Sequence, residues 1–237
     1  MDDMPDWLDL PDFPDLPDAP PPGPPPVVLL HGAGQMPTMW QSQVEALGAG
    51  TKAIAPWIDG MRPGRPREVS LTRAASGLVS TLDLNGIKTA RVVAHQFGAM
   101  TALQTAADAP ERIDRMVLTG AVVLPGRVAM AVQKALIKLM PPERLAAAGA
   151  TRDDLLRALD VMAQADFSSR LGDINVPTLV LCCEGDQPGR AYAGLLAERL
   201  PKAELRLLPG SSPSPMVSVP EAYNRAMVEF LNRDLSA

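Results

Sequence analysis

The chain reads as a doubly wound α/β protein because short apolar runs recur along it and segments of helical periodicity separate them. The runs fall near residues 27–31, 52–56, 90–95, 115–120, 178–183 and 204–208. They are apolar at successive positions, as strands covered by helices on both faces must be, so a mostly parallel sheet of about six strands is expected. Helices fit near 38–47, 70–83, 97–108, 189–199 and 220–233, where Ser70 can cap the second and Pro220-Glu221 can open the last.

Residues 126–170 break this rhythm with a long helical stretch where a crossover needs about a dozen residues. A small helical cap is expected there, inserted between core segments 27–125 and 171–237. Its first helix, near 127–140, sets Val128, Val132, Ala135, Leu136 and Leu139 on one face, to roof a pocket or to pack on the core. Residues 1–26 hold ten prolines and seven aspartates with no lysine or arginine. Such a segment favours extended backbone and cannot supply a central strand. It is expected either as a disordered acidic tail or as a segment that docks Trp7, Leu10, Phe13 and Leu16 on a groove.

Of the 27 acidic residues, the seven in the tail leave 20 against 22 basic ones, so the body is nearly neutral and offers no footprint for nucleic acid. The sequence contains no apolar run of membrane-spanning length, and Met1-Asp2-Asp3-Met4-Pro5 has neither the basic nor the apolar region of a secretory signal. A cytoplasmic protein without membrane contact is the expectation. The two cysteines, Cys182 and Cys183, are adjacent and read as reduced thiols. No metal or cofactor is expected.

Four segments follow one another in a known order. Val27-Val28-Leu29-Leu30-His31-Gly32-Ala33-Gly34 is a strand ending in a His-Gly turn, and Val92-Val93-Ala94-His95-Gln96-Phe97-Gly98-Ala99 is a strand, a sharp turn and a helix start. Leu179-Val180-Leu181-Cys182-Cys183-Glu184-Gly185-Asp186 ends a strand on a carboxylate, and Pro209-Gly210-Ser211-Ser212-Pro213 leads to Pro220-Glu221-Ala222. In that order they resemble the α/β-hydrolase fold family. The resemblance covers residue 26 to the C-terminus, but the two strands that usually precede the His-Gly strand have no counterpart. It implies that the backbone amides of Ala33 and Phe97 form an oxyanion hole beside Gly32, with Asp186 at the position of the catalytic acid.

The departures fall on the chemistry. The nucleophile position of the Gly-x-Ser-x-Gly elbow is Gln96, whose carboxamide cannot form an acyl-enzyme, and the histidine position is Pro213. His95 should face away from residue 96 by strand alternation, while His31 should serve the turn structurally. Ser211, Ser212 and Ser214 read as loop hydroxyls, since a serine without a base is a weak nucleophile.

Three functions follow. The first is non-hydrolytic proton transfer of isomerase, epimerase, lyase or cyclase type on an apolar carbonyl metabolite or peptide, with Asp186 as base and Gln96 contacting the carbonyl. The second is a catalytically dead binding or regulatory protein, its partner held by the tail or by the sheet edge left bare. The third is an esterase or peptidase with a rebuilt nucleophile. An apolar pocket involving Met36, Met39, Trp40, Met100 and Met216 is expected at Gln96.

Overall fold

The computed structural model describes residues 23–62, 68–124, 127–141, 143, 145 and 151–234. The expectations placed on tail residues 1–22 lie outside the described residues.

The strands are β1 (Val27–Leu30), β2 (Ala53–Ile54), β3 (Ala90–His95), β4 (Ile113–Thr119), β5 (Thr178–Cys183) and β6 (Ala203–Leu208). They form one sheet in the order β2-β1-β3-β4-β5-β6, with every neighbouring pair parallel. The chain leaves β1 towards one edge and returns to β3 on the other side of β1, so the order reverses between these two strands. A parallel sheet opens a crevice at such a switch point, beyond the C-terminal ends of its strands. The loops after β1 and β3 therefore flank the place where a ligand would sit.

Helices α1 (Gln41–Leu47), α2 (Leu71–Leu84), α3 (Phe97–Asp108), α6 (Gln187–Arg199), α7 (Pro215–Ser218) and α8 (Pro220–Asn232) accompany the sheet. Alternation along the strands splits the core in two. Val28, Leu30, Val92, Ala94, Met116 and Leu118 share one cluster with residues of α2, α3 and α6. Val27, Leu29, Val93, Val117, Leu179 and Leu181 pack with Trp40, Tyr223, Met227 and Phe230 in the other. The second layer is pinned by Gln43, fully buried, whose amide donates to the Met216 carbonyl at 3.1 Å and to Asn224 Oδ1 at 2.7 Å. A buried carboxamide with such partners fixes how α1 meets α7 and α8.

Local chemistry sets several boundaries. Ser70 Oγ accepts from the Arg73 amide at 3.2 Å and starts α2. The expected strand at 52–56 shortens to two residues, with Pro56, which has no ladder donor, close behind. The expected helix at 38–47 begins as a 3-10 turn over Pro37–Trp40 and becomes α-helical at Gln41. At the β6 edge, Glu204 and Arg206 point outward and pair with Arg233 and Glu229 on α8 at 3.0 and 2.9 Å, which covers that edge with charge.

Between β4 and β5 lie α4 (Arg127–Leu139) and α5 (Arg152–Gln164). The face expected to be buried on α4 is not the buried one. Val132, Leu136 and Leu139 are 56%, 61% and 81% exposed and Ala135 is exposed, while Met130 and Ile137 are buried. The Val128 side chain lies outside the described residues. The inward face is set by α5: Lys134 pairs with Asp160, and the Arg152 guanidinium donates to the Met140 carbonyl at 2.7 Å beyond the end of α4. Met130, Ile137, Leu159 and Met162 belong to the first core cluster together with Val122 and Val123, so α4 and α5 share the core of the sheet layer.

Candidate functional site

The turn after β1 begins with Leu30 and His31, both buried. His31 is held as a neutral ring: Nδ1 lies 2.9 Å from the Gly32 carbonyl, and Nε2 accepts from the Ile58 amide at 3.3 Å. Burial pushes its pKa below the usual value. Trp57 meets the ring edge-on at 5.2 Å. His31 therefore fixes the turn. Gly32 and Gln35 close the turn on each other, because the Gly32 amide donates to Gln35 Oε1 at 2.9 Å and the Gln35 amide donates to the Gly32 carbonyl at 3.3 Å. Gln35 was not expected among the site residues; its place three residues after Gly32, within reach of the turn it closes, was the available signal.

Opposite this turn, Gln96 links β3 to α3 with φ 47° and ψ −113°. Among the described residues it is the one non-glycine residue with positive φ. Holding a side chain there costs on the order of 1–3 kcal/mol, which the surrounding packing must over-determine. That packing is visible. The Gln96 amide donates to the Thr119 carbonyl at 2.8 Å, and its own carbonyl accepts from Met100 N at 3.0 Å. Gly98 lets α3 rest directly on β1, since a methyl group at Gly98 would stand 2.7 Å from the His31 carbonyl oxygen and still closer to that of Leu30.

The Gln96 side chain does not project into open space. Its Oε1 would lie 2.8 Å from a methyl group on Gly32, and its Cγ 3.3 Å from one on Gly120, so it is seated between two glycines. Phe97 opens α3, where first-turn amides have no intrahelical acceptor and the helix dipole is positive. Ala33 follows Gly32 in the facing turn and is half-buried. The structure thus brings Gly32, Gln96 and the start of α3 together at the switch point.

The other expected site residues have structural contacts of their own. Asp186 is the N-cap of α6, its Oδ1 accepting from the Gly189 amide at 3.1 Å, which gives the carboxylate a structural task. Met100 is fully buried in the first core cluster and Met216 in the second with Trp40, whereas Met36 is exposed. These methionines are core or surface, as helical spacing alone would give. The cavity lined by Gly34, Gln35, Gly60, Met61, Val69, Asp154 and Ala158 measures about 20 Å³, room for about one water. It is too small for the apolar ligand pocket expected beside Gln96.

His95 carries the largest departure. It is fully buried, and its side chain shares the face of Val93, towards α7 and α8. Nε2 lies 3.3 Å from Ser214 Oγ, in the loop that follows β6. Nδ1 is buried with no hydrogen-bond partner, and the Thr119 backbone beside the ring favours the ring's proton. Ser214 therefore does have an imidazole beside it. The expectation that the loop serines lack a base fails at this residue, because strand alternation turns His95 towards the last loop. Cys182 and Cys183 are buried free thiols, and burial raises both pKa values, that of Cys182 to about 11, which leaves them inert at neutral pH.

Burial also pushes the His95 pKa down to about 4. As pH falls below about 6.5, the unfolded chain takes up this proton first, so stability declines until the folded-state pKa is reached, by about 3 kcal/mol in all. His31 acts in the same direction. Urea unfolding from pH 7 to 4 should therefore show a shallower decline for His95→Gln than for the wild type. Equal slopes would contradict a buried neutral ring at position 95.

A strained elbow facing a His-Gly turn across a switch point is the layout of an α/β-hydrolase-type site. The chain belongs to the α/β hydrolase family, whose model matches residues 27–226. By sequence it is similar to the RutD protein of Azorhizobium caulinodans, a candidate carbamate hydrolase, at 25% identity over 86% of this chain and 90% of that one. The RutD protein of Klebsiella pneumoniae is 29% identical over 70% of this chain and 75% of its own. Two solved structures share the fold. A hydrolase from Pseudomonas aeruginosa has a TM-score of 0.75 at 23% identity, with 88% of this chain and 91% of the other covered. The enol-lactonase from Burkholderia xenovorans has a TM-score of 0.74 at 22% identity, with 89% and 93% covered. No helix among the described residues is long and apolar enough to cross a membrane, and they contain no cluster of three or more His, Cys, Asp or Glu suited to a metal.

Proposed function

We propose that this chain is a ligand-binding member of the α/β hydrolase family that forms no acyl-enzyme on residue 96 and whose elbow receives the carbonyl or carboxylate oxygen of an apolar ligand. The observation that carries the reading is the Gln96 side chain, seated between Gly32 and Gly120 on a backbone of positive φ. The carboxamide has no ionisable proton to make it a nucleophile, yet the elbow keeps its strained backbone geometry, and in this reading the Phe97 amide at the start of α3 serves the ligand oxygen. Gln96 acts as an internal plug that a ligand oxygen displaces. Binding is favoured over proton transfer because the Asp186 carboxylate, the base that proton transfer would need, is engaged at the start of α6.

Glycine at position 96 would remove the plug and relieve the backbone strain together. Titration calorimetry with an apolar carboxylate such as 4-phenylbutyrate should show Gln96→Gly binding about tenfold more tightly than the wild type, a difference of about 1.4 kcal/mol. Equal or weaker binding by a folded Gln96→Gly would overturn the reading.

A further inference from the structure

His95 and Ser214 form a second pair of reactive groups that the elbow does not use. The imidazole borders the same two glycines as Gln96: a methyl group on Gly32 would stand 3.1 Å from its Cδ2, and one on Gly120 would stand 3.4 Å from Cε1 and 3.5 Å from Nδ1. Nε2 lies between those two edges of the ring and is directed to Ser214 Oγ at 3.3 Å. Ser214 is half-buried, so the residue that holds a hydroxyl against the buried base is itself partly open to solvent. The loop holds it in place, because the Ser214 amide donates to Ser212 Oγ at 3.1 Å and its carbonyl accepts from Val217 N and Ser218 N, each at 3.1 Å.

The inner side of the ring is polar without being satisfied. His95 pairs in register with Thr119, and His95 Nδ1, Thr119 Oγ1 and Tyr223 OH are all buried without a full hydrogen-bond partner. A tautomer with its proton on Nδ1 leaves Nε2 free to accept from Ser214. The roles of base and loop residue are thereby exchanged between the elbow strand and the last loop.

We propose that Ser214 is a nucleophile for activated acyl donors, with His95 as its general base. In the acylating step Ser214 Oγ bonds to the acyl carbon and the bond from that carbon to the leaving oxygen breaks. The hydroxyl proton passes to His95 Nε2 and then to the departing oxygen. Water reverses the sequence to release the acid. Because the ring is buried and no carboxylate among the described residues pairs with it, the imidazolium is poorly stabilised and the reaction is slow, with labelling over minutes to hours.

This proposal goes beyond reversible binding at the elbow and can fail independently of it. The full chain is incubated with a fluorophosphonate, weighed intact and mapped by peptide. One adduct on Ser214 is expected, lost in Ser214→Ala and retained in Ser211→Ala. His95→Gln, checked for folding by its thermal transition, should react at least 30-fold more slowly; if that variant does not fold, the peptide map and Ser214→Ala decide alone. No adduct on the wild type, an adduct elsewhere, or equal labelling of folded His95→Gln would overturn the proposal. Carboxylate binding by Ser214→Ala is measured alongside. Its persistence when labelling is lost separates the two sites, and its absence in a chain that labels normally would count against the elbow reading only.

Discussion

A double variant, Gln96→Ser with Pro213→His, is expected to hydrolyse an activated ester such as p-nitrophenyl acetate at least 100-fold faster than the wild type, while Gln96→Ser alone stays within about threefold of it. The asymmetry follows from where the bases are. In the single variant a serine would stand on a competent elbow, but the Nε2 of His95 is directed to Ser214 and its Nδ1 is buried against Gly120, so neither nitrogen serves residue 96. A histidine at position 213, an exposed place in the loop after β6, returns the base, and general-base assistance contributes about 10²–10⁴-fold. Asp186 caps α6 through Oδ1 and keeps a second carboxylate oxygen to orient that histidine. A gain in the single variant equal to that of the double would show that the elbow already has a base. No gain in a folded double variant would show that the turn and elbow no longer form an oxyanion site.

Gly98→Val is expected to lower stability by about 4 kcal/mol or to prevent folding, because its Cβ would overlap the carbonyl oxygens of Leu30 and His31. Backbone atoms of a central strand cannot move aside as the end of a side chain can. For a chain of this size, about 4 kcal/mol corresponds to roughly 8–16 °C in Tm. Gly194 is the matched contrast: it lies inside α6, and no atom lies within 4 Å of where a Cβ would stand. Gly194→Ala should stabilise by about 0.5–1 kcal/mol through helix propensity. Thermal unfolding of both variants tests whether close approach of α3 to β1, rather than glycine content as such, holds the elbow in place.

The fold was largely legible in the sequence because its signals are local and repeated. Val27–Leu30, Val92–Ala94 and Leu179–Leu181 are apolar at successive positions, and each is a central strand buried on both faces. Phe97–Asp108 matches its expected helix because the turn at Gln96 and the Ala-Pro pair at 109–110 bound it on both sides. The cap was less legible. Its first helix has apolar residues around most of its circumference, so sequence alone could not choose which ones face inward; Asp160 and Arg152 of α5 make that choice.

The site was legible where the backbone makes it and obscure where long-range contacts do. The elbow could be placed at Gln96 and the turn at Gly32 from their motifs. Leu155 of the cap packing over Gly34, Gln35 closing the turn and His95 meeting Ser214 join residues distant in sequence or joined only by a folded turn. Alternation correctly turned His95 away from residue 96. It could not show that the last loop brings a hydroxyl to the other side of the sheet.

The most direct measurement is an amide titration by ¹⁵N-resolved NMR with 4-phenylbutyrate. Saturable shifts are expected to centre on Ala33 and Phe97, whose amides are proposed to receive the ligand oxygen, and to saturate at lower ligand concentration in Gln96→Gly. Saturable binding that leaves those two amides unmoved would contradict a ligand site at the elbow.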